Sequence, residues 1–141
     1  MRLLITFKTK EMFLYDDINP YFIHSFIWKS VRDTEFSALH DKRGFKFFTF
    51  SNIFPVSDFN ENECKNLIIS SPNSAFLKIL KHEIETKGGF SLGIHEFVIE
   101  NIKLFNVPLR KTWQTSTPMF DSMATGLVLE GSRCKDCLNC Q

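Results

Sequence analysis

Asn19-Pro20 and Ser71-Pro72 set the frame of this chain. Each stands where an alternating apolar run gives way to a helical one. Asn and Ser side chains accept from the orphan N–H groups of a helix start, and proline's fixed φ suits the first helical position. Ahead of the first site, Leu3–Lys8 alternates with the period of a strand. Leu3, Ile5 and Phe7 take one side, and Leu4, Thr6 and Lys8 the other. Behind it, Phe22, Ile23, Phe26, Ile27 and Val31 recur at helical spacing, which predicts a helix over Asn19–Arg32 with one buried stripe. His24 and Trp28 fall together on the flank of that helix, where the plain reading is a place at the edge of the core.

The second site repeats the pattern. A strand is expected over Phe45–Phe54, with Phe45, Phe47 and Thr49 on one face and Lys46, Phe48 and Phe50 on the other. A third follows at Asn66–Ser71. Phe76, Leu77, Leu80 and Ile84 then mark a helix over Pro72–Thr86, stopped by Gly88-Gly89. Phe90–Phe105 reads as one long last strand in which Gly93 marks a bulge. Strand, helix, strand, strand, helix, strand is the split βαβ order. The expected fold is α+β and ferredoxin-like: a four-stranded antiparallel sheet with two helices on one face, spanning residues 1–106. The composition then changes, and 107–141 reads as the truncated start of a second domain with an irregular tail.

Charge narrows the function. The chain of 141 residues carries 17 basic and 16 acidic side chains, a net charge of +1, so any nucleic-acid contact must come from a local patch. No apolar run approaches the ~18 residues of a membrane span, and the first residues read as a strand and not a leader. The expected setting is the cytoplasm, with reduced thiols. Of the four cysteines, Cys64 is alone and Cys134, Cys137 and Cys140 cluster near the end. Three thiolates at that spacing can ligate zinc or an iron–sulfur cluster, but no fourth ligand stands nearby, so a thiol-bearing tail ranks ahead of a metal site. No cofactor is expected.

Chemistry concentrates in Leu39–Phe50. His40 can exchange protons near neutrality. A charged turn follows with Asp41, Lys42, Arg43 and Gly44, then Lys46 among phenylalanines. Gly44 lets the chain reverse, so that an imidazole and an ammonium can face one groove. The plain alternative is a turn bearing ordinary solvated charges.

The strand Met1–Ile5, the pair Leu39-His40, the run Gly44–Ser51 and the triplet His95-Glu96-Phe97 together resemble the CRISPR-associated endoribonucleases of the RAMP superfamily, which cut repeat RNA into guide units. The resemblance covers roughly residues 1–118 and is to the N-terminal half of that family alone. It implies that His40 is catalytic, that Lys46 assists, and that Trp28 stands where many relatives carry a tyrosine. An indole N–H donates a hydrogen bond but does not titrate. The family's glycine-rich loop and most of its second ferredoxin-like domain have no counterpart here.

The implied reaction is metal-independent cleavage. The ribose 2′-hydroxyl attacks the adjacent phosphate, leaving a 2′,3′-cyclic phosphate and a 5′-hydroxyl. His40 serves as general acid or base and Lys46 neutralises the phosphorane. Lys42, Arg43, Arg110 and Lys111 are candidate phosphate contacts, and Trp113 a candidate base-stacking residue. CRISPR repeat RNA is the expected partner, with effector-complex subunits as further candidates. An apolar face left uncovered by a missing domain favours a homodimer. The alternative is a non-catalytic RNA-binding or interaction module.

Overall fold

In a computed structural model that describes residues 1–38 and 47–108, the first strand, β1 (Arg2–Thr9), lies in the middle of the sheet. Leu3, Ile5 and Phe7 are fully buried, and the intervening residues are half-exposed, as the alternation predicts. β1 pairs antiparallel with β3 (Cys64–Ser70) on one side and β5 (His95–Phe105) on the other. A short β2 (Thr49–Phe50) lies outside β3, and β4 (Gly89–Leu92) outside β5. The order β2-β3-β1-β5-β4 makes five antiparallel strands, not four.

The additional strand comes from Gly93. Its φ of 64° is left-handed, and Leu92 pairs with His95, so Gly93-Ile94 is a two-residue hairpin turn that divides the expected single strand. The bulge lies elsewhere. Thr6 pairs with Asn101 but Phe7 with Ile99, leaving Glu100 as the extra residue. Glu100 accepts an ion pair from Lys8 at 2.6 Å. That one-residue slip keeps Phe97 and Ile102 both facing the core.

Helix α1 (Pro20–Ser30) starts as expected, with Asn19 Oδ1 accepting from the Tyr21 N–H at 2.8 Å. It ends two residues earlier than predicted, where the Val31 N–H turns to the Trp28 carbonyl. Helix α2 (Ser74–Lys87) starts later than predicted. Asn73, not Ser71, caps it, accepting from Ala75 and Phe76 N–H groups at 3.0 and 3.2 Å. The Ser71 hydroxyl instead accepts from the Asn73 N–H and donates to the Phe47 carbonyl at 2.6 Å. Gly88, at φ 68°, closes α2.

The predicted strand Phe45–Phe54 is shorter. Phe45 and Lys46 lie outside the described residues. Phe47 has φ 55°, which no strand accommodates, and regular pairing covers Thr49–Phe50 alone. Beyond it Ser51 still donates to Ile68, and Phe54 exchanges both backbone bonds with Asn66, before Pro55 ends the run. Phe48 is buried and Phe47 exposed, in keeping with the expected alternation.

Both helices pack on the face of Leu3, Ile5, Phe7, Leu67 and Ile69, each such side chain contributing about 1.5–3 kcal/mol on burial. The phenylalanines make much of this core. Phe7 meets Phe90 and Phe97 edge-on at 5.1 Å, and Phe26 stacks on Phe90 at 4.4 Å. Lys65 is also on this face and fully buried, a position that the run Asn66–Ser71 does not reveal. Its ammonium donates to the carbonyls of Pro55 (3.3 Å) and Ser57 (3.0 Å) and to Ser57 Oγ (2.5 Å). Glu63 stands at 3.2 Å, and the Phe59 ring centroid at 5.3 Å. Hydrogen bonds from Asn60 and then Lys65 hold the Glu63 carboxyl below its usual range. Met1–Pro108 forms one compact unit.

Candidate functional site

Of the residues singled out from the sequence, Trp28 is described. His40, Lys42, Arg43, Lys46, Arg110, Lys111 and Trp113, with the cysteine cluster at 134, 137 and 140, lie outside the described residues. Trp28 is on the last turn of α1, 7% exposed, and more buried than a flank position suggests. Its indole N–H donates to His24 Nε2 at 3.0 Å, one turn back. Phe48 contacts both rings. It lies edge-on to Trp28 at 5.4 Å and close to parallel with His24 at 5.9 Å.

Chemistry fixes the direction of the Trp28–His24 bond. An indole nitrogen only donates, so Nε2 carries no proton. In this geometry Nε2 is the acceptor, which leaves Nδ1 as the nitrogen that carries the ring hydrogen. Protonation would set a donor against a donor and break the bond.

His24 and Trp28 line a cleft of about 560 Å³ on the outer side of α1, with Tyr21, Ser25, Lys29 and Arg32 along the same wall. The spacing 21, 25, 29, 32 is the polar stripe opposite the buried one, a signal present in the sequence. Ser37 completes the lining, and Phe48 reaches the same pair of rings. The described residues on either side of 39–46 thus border one flank of α1. A second cleft of about 400 Å³ opens at the end of the sheet beside Arg2, Phe48, Ser71 and Asn106.

The triplet His95-Glu96-Phe97 has a packing role. His95 stacks on Phe13 with centroids 3.7 Å apart and places Nδ1 at 3.5 Å from Glu11, and Phe97 is in the core. Burial pushes the Tyr15 hydroxyl up, and it donates to the Ile53 carbonyl at 2.8 Å. Among the described residues no three His, Cys, Asp or Glu side chains are grouped to hold a metal ion. No helix among them is long and apolar enough to cross a membrane.

No family model matches the chain. It is 34% identical over 119 residues to CRISPR-associated endoribonuclease Cas6 2 of Methanocaldococcus jannaschii, an alignment covering 84% of this chain and 49% of that protein. It is 22% identical over 129 residues to CRISPR-associated endoribonuclease Cas6 of Haloferax mediterranei, covering 92% and 47%. Among solved structures, a RAMP protein described as binding different RNA substrates superposes with a TM-score of 0.58 at 23% identity, covering 78% of this chain and 50% of the other. A Cas6-related protein from Pyrococcus furiosus gives 0.56 at 24%, with the same coverage. These structures share the fold. The chain spans about half the length of the relatives it matches, and that partial coverage fits an N-terminal half.

Proposed function

We propose that this chain is the N-terminal half of a CRISPR repeat-RNA endoribonuclease. Residues 1–106 form its ferredoxin-like RAMP domain, and 107–141 the start of a second. The observation that carries the reading is the 34% identity over 119 residues to a protein named for that activity. The α1 flank supports it, since Ser37 and Phe48, on either side of the segment with His40 and Lys46, both reach the His24–Trp28 pair or its cleft.

In this reading the nucleophile is the substrate's own 2′-hydroxyl, so no metal is required and DNA is not cut. His40 transfers the proton, a contribution on the order of 10²–10⁴-fold. Lys46 offsets charge on the pentacoordinate phosphate. Trp28 acts through His24, whose ring it orients. Lys42, Arg43, Arg110 and Lys111 hold phosphates and Trp113 stacks on a base. Repeat RNA is the substrate and the cytoplasm the setting. Effector-complex subunits and a second copy of the chain are further partners.

The span of about half of each relative favours one other reading, an RNA-binding module that does not cut. Incubating repeat RNA with the chain in EDTA separates the two. Cleavage with a 2′,3′-cyclic phosphate end, lost in His40→Ala and on a substrate with 2′-deoxyribose at the cut, is the expected result. Binding without cleavage in parent and variant alike refutes the nuclease reading. Cutting of the deoxy substrate refutes the mechanism.

A further inference from the structure

Phe47 follows Lys46 directly in the chain, and its backbone lies at φ 55°, a left-handed conformation that residues with a Cβ seldom adopt. We propose that Phe47 and Ser71 form a clamp that fixes the direction in which the segment bearing His40 and Lys46 joins the sheet, and that both are positioning residues for the cleavage step. The catalytic part rests on the reading above; the clamp rests on the geometry of residues 47–49 and 71.

Strain of this kind persists only where the surroundings over-determine it, and such positions cluster at functional sites. Here three consecutive residues are held from three directions. The Phe47 carbonyl accepts from the Ser71 hydroxyl at 2.6 Å. The buried Phe48 ring stacks on Phe76 of α2 at 5.5 Å and lies edge-on to Trp28 of α1 at 5.4 Å. Thr49 pairs with Ser70 on β3. Ser71 is a firm anchor for the first of these. It is 5% exposed, and its hydroxyl also accepts from the Asn73 N–H at 3.1 Å. Its own N–H donates to the Met1 carbonyl and its carbonyl accepts from the Met1 nitrogen, each at 3.3 Å. Since Asn73 caps α2, the start of that helix and the end of β3 brace the same point. β2 itself does not need the turn, because an extended residue enters a strand without strain. What the left-handed φ alters is the heading of the chain as it leaves the strand towards residue 46.

The test replaces Phe47 with Gly, Asn or Val, and Ser71 with Ala, in the full chain. Every Phe47 variant loses the ring, so differences among the three report the backbone. Glycine takes positive φ about as readily as negative, asparagine is enriched there, and a β-branched residue is an outlier. With repeat RNA, kcat should stay within about threefold of the parent for Phe47→Gly and Phe47→Asn and fall about tenfold for Phe47→Val, with KM within about twofold throughout. Ser71→Ala should lower kcat about fivefold, and adding Phe47→Gly should recover most of that loss, because glycine needs no clamp. A packing or base-stacking role for the ring gives the opposite order, with Val above Gly and Asn. Trypsin supplies a readout that needs no RNA. It cuts extended backbone, so the Lys46–Phe47 bond should be cleaved about fivefold faster in Phe47→Val and Ser71→Ala than in the parent or Phe47→Asn. Val as active as Asn, or a loss carried by KM, overturns the clamp; if Lys46→Ala is still impaired, the cleavage reading stands. A parent that cuts no RNA but shows this order of proteolysis keeps the clamp and removes the cleavage reading. If far-ultraviolet dichroism shows Phe47→Val unfolded, the Ser71→Ala pair decides, and a loss that Phe47→Gly does not recover overturns the proposal.

Discussion

Replacing Lys65 with methionine tests how the buried ammonium contributes to the fold. Methionine keeps most of the stem's volume and removes every donor, so the change is largely confined to polar contacts. Lys65 is 0% exposed and donates to two carbonyls, Pro55 at 3.3 Å and Ser57 at 3.0 Å, and to the Ser57 hydroxyl. Each buried acceptor left without a donor costs about 1–3 kcal/mol. The hydroxyl can rotate to another partner, and Glu63, with a side chain 33% exposed, is rehydrated. The Pro55 carbonyl keeps the Ser57 N–H at 3.1 Å, so the Ser57 carbonyl dominates, and Lys65→Met should destabilise by about 1–2 kcal/mol. Urea unfolding of the full chain followed by far-ultraviolet dichroism reads this as a lower midpoint at unchanged slope. A double-mutant cycle with Glu63→Gln should return a coupling that is only a minor part of the loss, because the carboxylate partner is solvated. A loss under about 0.5 kcal/mol, or a coupling that accounts for most of the loss, would refute the assignment of the energy to the Ser57 carbonyl.

Two further outcomes follow from the same structure. Gly93→Ala places a Cβ at φ 64° and 2.9 Å from the Phe22 ring, so it should cost at least about 1–2 kcal/mol and speed amide exchange in β4; unaltered exchange there would contradict the turn geometry. Glu63 titrates below its usual value in the folded chain, so its stabilising contribution is complete above the ordinary carboxylate range near 4.5 and fades as pH falls through the depressed value. The stability gap between parent and Glu63→Gln should therefore close on acidification, and a gap that widens would reverse the sign.

The strand alternation of Leu3, Ile5 and Phe7 and the helical stripe of α1 were legible because each element has one buried face with a fixed period. The helix cap at Asn19 was legible for the same local reason. What escaped was decided across the chain. Gly93 permits either a bulge or a hairpin turn, and the pairing of Leu92 with His95 chooses between them. Lys65 reads as a surface charge until the carbonyls of residues 55 and 57, brought by a separate loop, surround its ammonium. On α1, sequence spacing placed His24 beside Trp28 but not the direction of the bond between them, and it is the direction that sets the tautomer. Nothing in the spacing of Lys29 and Arg32 announces the cleft that they line together with His24.

The place of β1 has a consequence for how the molecule is made. It is flanked on both sides, yet its two neighbours are synthesised long after it: β3 begins at Cys64 and β5 at His95. Until the ribosome has released both, Leu3, Ile5 and Phe7 have no lasting shelter. Most pairings in this sheet span distant parts of the chain, the arrangement associated with slow folding and with hazard from aggregation. Chaperone demand during translation should therefore fall only once the last hairpin is out, because that hairpin completes the seat of the first strand.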